Sequence, residues 1–360
     1  MSIPTSTPLI GVPPRRRASC RVTSSDMPVK NPYSNTFIAD LPEPEEIDIK
    51  ATLDSIEAGE IDLICVLGPT ASGKTRYAVR LARELNRLRA EAKDVSAASP
   101  VCRAGAEILS GDSRQVYRGM DIGTGKDLSE YEEIPYHLID IVDAGTKFDL
   151  YQYQKAFEEA YRDVVSRGGI PILCGGSGLY LEAATCGYEL PDVPQNQELR
   201  AELEDKSMEE LAAMLASLKP LHNTTDIDTR KRAIRAIEIA LYQQSHPVTR
   251  TSFLPKKTYF IGTLVSRDER NRRIDARLDA RIGEGLVDEV RRLIDGGVSP
   301  EDLMYYGLEY KFVTQHVLGI LSLDEMKLLL SNAIHQFAKR QMTWFRGMER
   351  KGMKIHWVEP

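Results

Sequence analysis

No stretch of this chain is apolar enough to cross a lipid bilayer, which takes about 20 consecutive apolar residues. The longest apolar run, residues 61–67, is interrupted by Asp62 and indicates a buried strand instead. A secretory signal is also not indicated, because no continuous apolar segment follows the N-terminal arginines. We therefore expect a cytoplasmic protein with no membrane partner.

Metal-binding cysteine patterns are missing as well. The five cysteines, Cys20, Cys65, Cys102, Cys174 and Cys186, form no CxxC pair, and none lies near a pair of histidines. These spacings argue against a zinc site. They favour reduced thiols, and Cys65 and Cys174 lie in apolar, strand-like runs where small thiols are commonly buried.

An excess of positive charge is absent too. The net charge is −6 over 360 residues, so any nucleic-acid surface has to be a local basic patch on an acidic body. The hydrophobic content of 42% and the charged content of 28% are typical of a globular protein. This length allows one large domain or two modest ones.

The first 39 residues differ from the rest of the chain. They are rich in Ser, Thr and Pro, and they carry four arginines and Lys30 against one acid, Asp26. This composition resembles that of a transit peptide, but Pro13 and Pro14 precede the arginines and no amphipathic pattern is visible. A disordered tail and a targeting segment both stay open, and we predict an N-terminal extension over residues 1–55.

Strand-like runs alternate with helical patterns beyond residue 60, which predicts a parallel sheet covered on both faces. The predicted strands are residues 61–67, 107–110, 137–142, 170–174, 259–265 and 354–358. The predicted helices are residues 74–89, 151–167, 198–218 and 229–242, with further helical sequence from 265 to 348. We predict an α/β fold with a P-loop NTPase-like parallel sheet flanked by helices. Its core would span residues 60–190 and 255–360, with a helical insertion at 191–254.

A phosphate-binding loop follows the first predicted strand. Residues 68–75 match G-x-x-x-x-G-K-[ST] and precede a predicted helix, which is the structural context this motif requires. Its backbone N–H groups and the helix N-terminus favour a bound anion, Lys74 adds a positive charge, and the Thr75 hydroxyl is placed to ligate Mg²⁺. The predicted binding residues are Gly68, Pro69, Thr70, Ala71, Ser72, Gly73, Lys74 and Thr75. The motif predicts a diphosphate or triphosphate site without identifying the reaction.

The default interpretation of such a loop is a nucleotide hydrolase or kinase. However, the run of four apolar residues ending in Asp that a hydrolase needs is not evident, since residues 138–140 are too short. Asp112 instead follows directly on a predicted strand. Ligands bind at this carboxyl edge of parallel sheets, so Asp112 is a candidate general base.

Four motifs occur in the order GPTASGKT, DSRQVYRGMDIGTGK, GGSGLYLEA and KRQMTW. Together they resemble the tRNA dimethylallyltransferase family over about residues 63–344. The resemblance implies dimethylallyl diphosphate as donor, Mg²⁺ as the cofactor, and as acceptor the adenosine 3′ of the anticodon, presented by the tRNA anticodon stem-loop. The lack of a C-terminal Cys/His module favours a bacterial or organelle type. The related adenylate isopentenyltransferases and a P-loop small-molecule kinase remain alternatives, and intact Lys74, Thr75 and Asp112 argue against a non-catalytic RNA-binding protein.

The resemblance also implies roles for individual residues. Asp112 would accept a proton from the adenine amine, and Lys74, Thr75 with Mg²⁺, and Arg277 would stabilise the departing diphosphate. Arg277 belongs to a segment rich in both charges, whose other arginines fit an ion-paired exposed helix. Ser177 stands where the family usually has threonine, so its hydroxyl either contacts the substrate or caps a helix.

Three stretches are expected to contact tRNA. The residues are Asp112, Ser113, Arg114 and Gln115 at the base, Lys231, Arg232 and Arg235 in the insertion, and Lys339, Arg340 and Gln341 near the C-terminus. For the neighbouring Trp344 and Phe345, a place in the core is favoured. Residues 305–311 depart from the family pattern, because Tyr305 and Tyr306 precede Gly307 where an isoleucine or valine is usual. We expect a monomer.

Overall fold

The computed structural model describes residues 42–94, 104–187, 193–219, 225–246, 255 and 257–360. Residues 1–41, most of the predicted N-terminal extension, lie outside these ranges. Helix α1 (Ile49–Glu57) begins at Asp48, whose side chain accepts a hydrogen bond from the amide of Ala51. Leu53 of this helix is buried in a core below the sheet. The predicted extension was therefore wrong for residues 49–55, where the sequence carries an N-cap and an amphipathic helical turn.

Eight strands follow in chain order. They are β1 (Leu63–Leu67), β2 (Ala106–Ser110), β3 (Tyr117–Arg118), β4 (Tyr136–His137), β5 (Val142–Asp143), β6 (Ile170–Gly175), β7 (Thr258–Thr263) and β8 (Ile355–Val358). Six of them form a sheet in the order β4-β2-β6-β1-β7-β8, and every neighbouring pair is parallel. Strands β3 and β5 pair separately. All residues of β1, β2 and β6 are buried, because helices cover both faces of the sheet.

The remaining helices follow in chain order. They are α2 (Lys74–Asp94), α3 (Leu150–Ser166), α4 (Gly178–Thr185), α5 (Gln197–Glu204), α6 (Met208–Leu218), α7 (Arg230–Ser245), α8 (Arg267–Gly283), α9 (Leu286–Asp295), α10 (Pro300–Tyr305), α11 (Leu308–Val317) and α12 (Leu323–Arg350). Helices α1 and α2 cover one face of the sheet, where Ile64 and Val66 point. Helices α3, α4 and the end of α12 cover the other face, where Leu63 and Cys65 point. None of the described helices has the length and apolarity that a membrane span requires.

The predicted strand at 137–142 was wrong. Two short strands occupy this region, β4 and β5, and they belong to different sheets. Between them Leu138 and Asp140 have positive φ angles of 66° and 54°, which break an extended backbone. The Asp140 carboxylate is bound to the buried ammonium group of Lys126, so this turn is fixed by a tertiary contact that sequence periodicity does not report.

The helical insertion has a small core of its own. Leu203, Leu211 and Ile237 pack together from α5, α6 and α7. The single helix predicted over 198–218 is divided, because Ser207 begins α6 with a reciprocal pair of hydrogen bonds to Glu210. The buried Glu238 carboxylate accepts hydrogen bonds from Arg200 and from the amide of Asn196.

Helices α8 to α12 form a third core together with residues 116–122. Val116 and Met120 of this loop pack among Ile274, Leu286 and Tyr310. These helices follow the predicted insertion in sequence, and they close over the carboxyl edge of the sheet. The result is a helical wall that faces the phosphate loop.

Candidate active site

The carboxyl ends of the three central strands lie side by side. In the sheet register, Leu67 of β1 is level with Gly175 of β6, and Ser110 of β2 is level with Cys174. The phosphate loop after β1, Asp112 after β2 and Ser177 after β6 therefore leave the sheet at one height. This register brings the three predicted motifs together around one cavity.

Two cavities meet at this edge. The large cavity has a volume of about 590 Å³ and lies between the phosphate loop, residues 112–115, α8, α11 and α12. The small cavity, of about 360 Å³, also borders the phosphate loop and includes Gly73, Asp127 and Arg273. The residues that line both cavities are Lys74, Thr75, Gln115, Gly125, Tyr131 and Arg277. The site thus has two approaches that converge on the same side chains.

The phosphate loop is folded for anion binding. Ala71 and Gly73 have φ angles of 60° and 79°, a left-handed conformation that turns backbone amides inward. The Ser72 hydroxyl lies 2.7 Å from that of Thr263 at the end of β7, which anchors the loop to the sheet. Burial lowers the pKa of Lys74, while the nearby Asp112 carboxylate opposes this shift. A bound anion would favour the charged lysine further.

Asp112 is held in place by its own loop. Its Oδ1 accepts a hydrogen bond of 2.8 Å from the amide of Arg114, and its side chain lines the large cavity. The strands on either side approach closely here, since a Cβ added at Gly175 would lie 2.5 Å from the Gly111 carbonyl. Glycine at both positions lets Asp112 and Ser177 share one wall of the cavity.

Ser177 occupies the N-cap position of α4 but makes no capping hydrogen bond with its side chain. Its hydroxyl donates to the Ser113 hydroxyl at 3.3 Å and accepts from the Ser113 amide at 3.3 Å. The helix-cap interpretation was therefore right in position and wrong in bonding. Ser177 connects the turn after β6 to the loop that carries Asp112.

Arg277, for which contact with the diphosphate was predicted, lines both cavities. Its Nη2 lies 2.8 Å from Asp127 Oδ2. Arg281, which was not predicted as a site residue, stands one helical turn further along α8 and also lines the large cavity. Its spacing of four residues from Arg277 was the available signal, because residues at i and i+4 share a helix face.

A second feature missed from sequence is Glu289 of α9. Its buried carboxylate accepts hydrogen bonds from the amides of Asp121, Ile122 and Gly123 at 2.8–3.0 Å. It also accepts one from the Tyr310 hydroxyl at 2.7 Å. Glu289 thereby fixes the loop whose Gly123, Thr124 and Gly125 line the large cavity. Nothing in the local sequence pairs residue 289 with residues 121–123.

Lys126 ends the Gly-Thr-Gly-Lys segment of the second family motif. Its ammonium group is buried and bound to Asp121, to Asp140 and to the carbonyl of Tyr117. This lysine therefore shapes the loop from inside and does not face the large cavity.

Gln341 of α12 joins two sides of the site. Its Oε1 accepts a hydrogen bond from the amide of Thr70, and its Nε2 donates to the carbonyl of Gly176, both at 2.8 Å. The side chain is 7% exposed. Although tRNA contact was predicted for Gln341, both ends of its amide are engaged with the phosphate loop and with the turn before α4.

The rim of the large cavity is basic and aromatic. Arg340 lies over the Phe337 ring at 6.0 Å, and both side chains line the cavity together with Trp344. Lys339 is exposed beside them. Trp344 is 39% exposed whereas Phe345 is fully buried, so the core prediction was right for Phe345 and wrong for Trp344.

The basic residues of the insertion differ in surroundings. Lys231 Nζ lies 5.8 Å from the centre of the Tyr305 ring, and the Arg114 guanidinium lies 5.7 Å from the same ring. Arg232 forms a surface ion pair with Asp228. Arg235 instead bonds to the buried Glu238 and to the carbonyl of Val193, so it belongs to the insertion's internal network. Lys231 therefore lies near the site, whereas the Arg235 guanidinium is engaged in hydrogen bonds within the insertion.

The chemistry available in this site is limited. Among the described residues, no cluster of three or more His, Cys, Asp or Glu side chains is placed to hold a metal ion. Burial raises the pKa of the Cys174 thiol to about 12, so this cavity-lining cysteine stays protonated and is a poor nucleophile. The arrangement provides an anion cradle, a carboxylate and two cavities that share part of their lining.

Known proteins share this organisation. The family model described as "IPP transferase" matches residues 115–348. A protein of Bacteroides fragilis named "tRNA dimethylallyltransferase 2" is 52% identical over 304 residues, which cover 83% of this chain and 93% of that protein. A protein of Parabacteroides distasonis named "tRNA dimethylallyltransferase 1" is also 52% identical, over 302 residues, covering 83% of this chain and 92% of its own length.

The chain belongs to the IPP transferase family. The structure is similar to the crystal structure of a tRNA isopentenylpyrophosphate transferase from Bacillus halodurans, with a TM-score of 0.57 and 32% identity over 83% of this chain and 90% of the other. A eukaryotic dimethylallyltransferase described as acting on tRNA has a TM-score of 0.61 at 22% identity, over 78% of this chain and 69% of the other. The predicted family and the predicted P-loop-like parallel sheet are confirmed.

Proposed function

We propose that this protein transfers a dimethylallyl group from dimethylallyl diphosphate to the exocyclic amine of the adenosine 3′ of the anticodon in tRNA. The observation that carries this proposal is the junction of two cavities at Lys74, Thr75, Gln115 and Arg277, with Asp112 facing the large one. An anionic donor and a nucleophilic base can reach such a junction from opposite sides. The names of the relatives from Bacteroides fragilis and Parabacteroides distasonis support this assignment.

The small cavity fits the donor. The phosphate-loop amides, Lys74 and Arg277 surround the position that a diphosphate would occupy. Mg²⁺ generally keeps several waters and binds through few protein oxygens together with substrate phosphates. In the described part of the chain no group of three or more candidate ligands surrounds the Thr75 hydroxyl, although Asp127 and Glu130 line the same cavity, and this arrangement fits that mode. When bound, Mg²⁺ would supply positive charge to the diphosphate.

The reaction is a substitution at the allylic carbon of the donor. The amine nitrogen forms a bond to that carbon, the carbon–oxygen bond breaks, and the electron pair leaves with the diphosphate. Asp112 accepts the proton that the amine loses, which a weakly nucleophilic, conjugated amine requires. Lys74, Arg277 and the loop amides stabilise the charge that grows on the diphosphate.

The large cavity fits a base taken out of its stack. Its volume of about 590 Å³ suits one nucleotide, and its rim offers Phe337, Arg340 and Trp344 for contacts with unpaired bases. Ser113, Arg114 and Gln115 follow Asp112 along the same wall, so we assign them to positioning the adenosine. Lys231, Arg232 and Lys339 are exposed, Lys231 lies against Tyr305, and we assign all three to contacts with the RNA backbone. Because one chain supplies every group named for the site, we propose that the monomer is active.

Two other activities use similar parts. An adenylate isopentenyltransferase would prenylate a free nucleotide, which has no use for an aromatic and basic rim together with an insertion that reaches Tyr305. A small-molecule kinase would need ATP in the phosphate loop. These activities give different products, so the products distinguish them.

The test is an incubation of the purified protein with Mg²⁺, dimethylallyl diphosphate and three acceptors in parallel: tRNA, AMP, and a tRNA lacking adenosine 3′ of the anticodon. Mass spectrometry of the nucleosides should find prenylated adenosine in the first reaction alone. Prenylated AMP as the main product would establish the adenylate activity instead. In a parallel set of incubations that also contain ATP, consumption of ATP with no prenylated product would establish a kinase or hydrolase.

A further inference from the structure

We infer that Arg281 is a second arginine, beside Arg277, that binds the phosphate oxygens of the donor's diphosphate, and that Glu309 holds it in position. This inference rests on the proposed function, because it concerns the leaving group of that reaction. Arg281 is absent from the phosphate-loop motif, and its role follows from its place on α8 relative to Gly125, the phosphate loop and Glu309.

Arg281 and Arg277 lie side by side on one face of α8. Both guanidinium groups rest on Gly125, because a Cβ added there would collide with Nη2 of Arg281 and lie 2.5 Å from Nη2 of Arg277. Gly125 also has a φ angle of 65°, a conformation that favours glycine. Only glycine at this point lets the two cations approach the same loop.

Arg281 faces the phosphate loop as well as the large cavity. Together with Arg277 and Glu309 it lines a narrow cleft that also includes Thr70 and Ala71 of the phosphate loop. An anion seated on the phosphate loop therefore has Arg277 and Arg281 on one side and the loop amides on the other. This placement favours the donor's diphosphate over a backbone phosphate of RNA, which would approach from the rim.

The positive charge of the Arg281 guanidinium has no carboxylate within close hydrogen-bond distance in the described residues. The side chain is 12% exposed, and it donates no hydrogen bond to any residue within the described ranges. Its nearest carboxylate is that of Glu309, 4.0 Å from Nη1 to Oε1. Burial, and next the charge of Arg277, lower the pKa of Arg281. A guanidinium normally forms close, paired hydrogen bonds with an anion, and the site leaves that capacity unused.

Glu309 has the position of an orienting group. Glu309 is the second residue of α11. Its carboxylate lies on the Nη1 side of Arg281, which leaves Nη2 directed at Gly125. Burial raises the pKa of Glu309, while the charge of Arg281 opposes that shift. Glu309 thus holds the Arg281 guanidinium beside the reacting groups and neutralises part of its positive charge.

The experiment measures binding of inorganic diphosphate with Mg²⁺ by calorimetry, for the wild-type protein, Arg281→Gln and Arg272→Gln. Arg272 is a matched control, because it lies on the same helix, is 73% exposed and pairs with Glu269. Arg281→Gln should weaken diphosphate binding at least 10-fold, since a hydrogen bond between charged groups contributes roughly that much or more. Arg272→Gln should bind like wild type.

A second set of measurements tests whether Arg281 binds the donor's diphosphate or a backbone phosphate of the tRNA. tRNA affinity of Arg281→Gln should equal that of wild type, and Arg281→Lys should recover part of the diphosphate affinity. Glu309→Gln should weaken diphosphate binding by a smaller factor, because it releases Arg281 without removing its charge. If Arg281→Gln binds diphosphate normally, or loses tRNA affinity alone, the inference is wrong.

These outcomes are distinguishable from failure of the proposed function. A wild-type protein that binds diphosphate but makes no prenylated tRNA would reject the reaction while leaving the Arg281 result to be judged by calorimetry. Should Arg281→Gln fail to fold in a thermal melt, Arg281→Lys decides the matter. Its diphosphate affinity should fall below that of wild type, because a lysine cannot form the paired hydrogen bonds of a guanidinium.

Discussion

The small cavity and the large cavity share a wall but are built in different ways. The small cavity takes most of its anion-binding groups from the consecutive residues 71–76, and α8 adds Arg273 and Arg277. The large cavity depends on contacts between distant parts of the chain. Gln341 reaches Thr70 across 271 positions, and Glu289 reaches Ile122 across 167. One half of the site is thus local in sequence and the other is tertiary.

This difference has a functional consequence. A local loop keeps its shape as long as the strand before it and the helix after it are folded. A cavity assembled by α8 to α12 depends on every contact that holds those helices and the loop 120–126 together. Apart from the cations of α8 that face the phosphate loop and Glu309 beside them, changes in the helical wall should therefore damage acceptor binding while donor binding survives, and changes in the phosphate loop should do the reverse.

The largest effect is expected from Asp112→Asn. The amide keeps the size of the side chain but removes the proton acceptor, so turnover should fall by about 10²–10⁴-fold, the usual contribution of a general base. The affinity for dimethylallyl diphosphate should be nearly unchanged. Single-turnover rates and donor titrations would measure both quantities.

Asp143→Asn is a suitable control for that comparison, because Asp143 is exposed and pairs with Arg118 at the surface. If Asp112→Asn keeps near-normal turnover, or mainly loses the donor, Asp112 is not the base. It would then act on the phosphate side, for instance on Mg²⁺, and the two halves of the site would not be separable as described.

The converse variant is Lys74→Ala. Removal of this ammonium, which lines both cavities, should weaken donor binding and lower turnover on the order of 10²–10³-fold, the range found when a preorganised transition-state donor is lost. The affinity for tRNA should stay within a factor of about two, since a change of 0.5 kcal/mol or less corresponds to that factor. Equal loss of tRNA and donor affinity would show that the halves are coupled through Lys74.

A change remote from the reacting atoms should affect the large cavity alone. Glu289→Gln replaces a carboxylate that accepts three amide hydrogen bonds by a group with one acceptor oxygen. We expect a loss of roughly 3 kcal/mol in unfolding free energy and a higher KM for tRNA, with diphosphate binding preserved. Chemical denaturation and steady-state kinetics would measure these effects.

Asp288→Asn provides the neighbouring control, because Asp288 is exposed and pairs with Arg291 on the surface. It should change stability by no more than about 0.5 kcal/mol. An unaltered tRNA KM in Glu289→Gln would mean that the loop 120–126 keeps its shape without this carboxylate.

The smallest effect is expected in the insertion. Lys231→Gln with Arg232→Gln should weaken tRNA binding modestly and reduce the slope of log affinity against log salt by about 1 to 2, since each phosphate contact contributes about one. Arg235→Gln should instead lower the melting temperature and leave the salt slope unchanged, because Arg235 bonds to the buried Glu238. Similar salt slopes for both variants would refute this division.

The sequence was sufficient where the determinants are local. The phosphate loop, the strands around it and Asp112 at a strand end were all predicted, because short motifs and apolar runs encode them. The strand at 137–142 was mispredicted, since a tertiary hydrogen bond from Lys126 holds Asp140 in a turn. Glu289 was missed for a similar reason, because its partners lie in another segment and no spacing along the chain reports them. Arg281 was missed although it lies four residues after Arg277 and therefore shares its helix face.

The most direct test of the central claim is a comparison of two anticodon stem-loop RNAs that differ in one atom group. One carries adenosine 3′ of the anticodon, and the other carries purine riboside, which lacks the exocyclic amine. With Mg²⁺ and dimethylallyl diphosphate, mass spectrometry should find one added prenyl group on the first RNA, one equivalent of released diphosphate, and no product from the second. Prenylation of the purine riboside RNA, or diphosphate release with no prenylated RNA, would contradict transfer to the adenine amine.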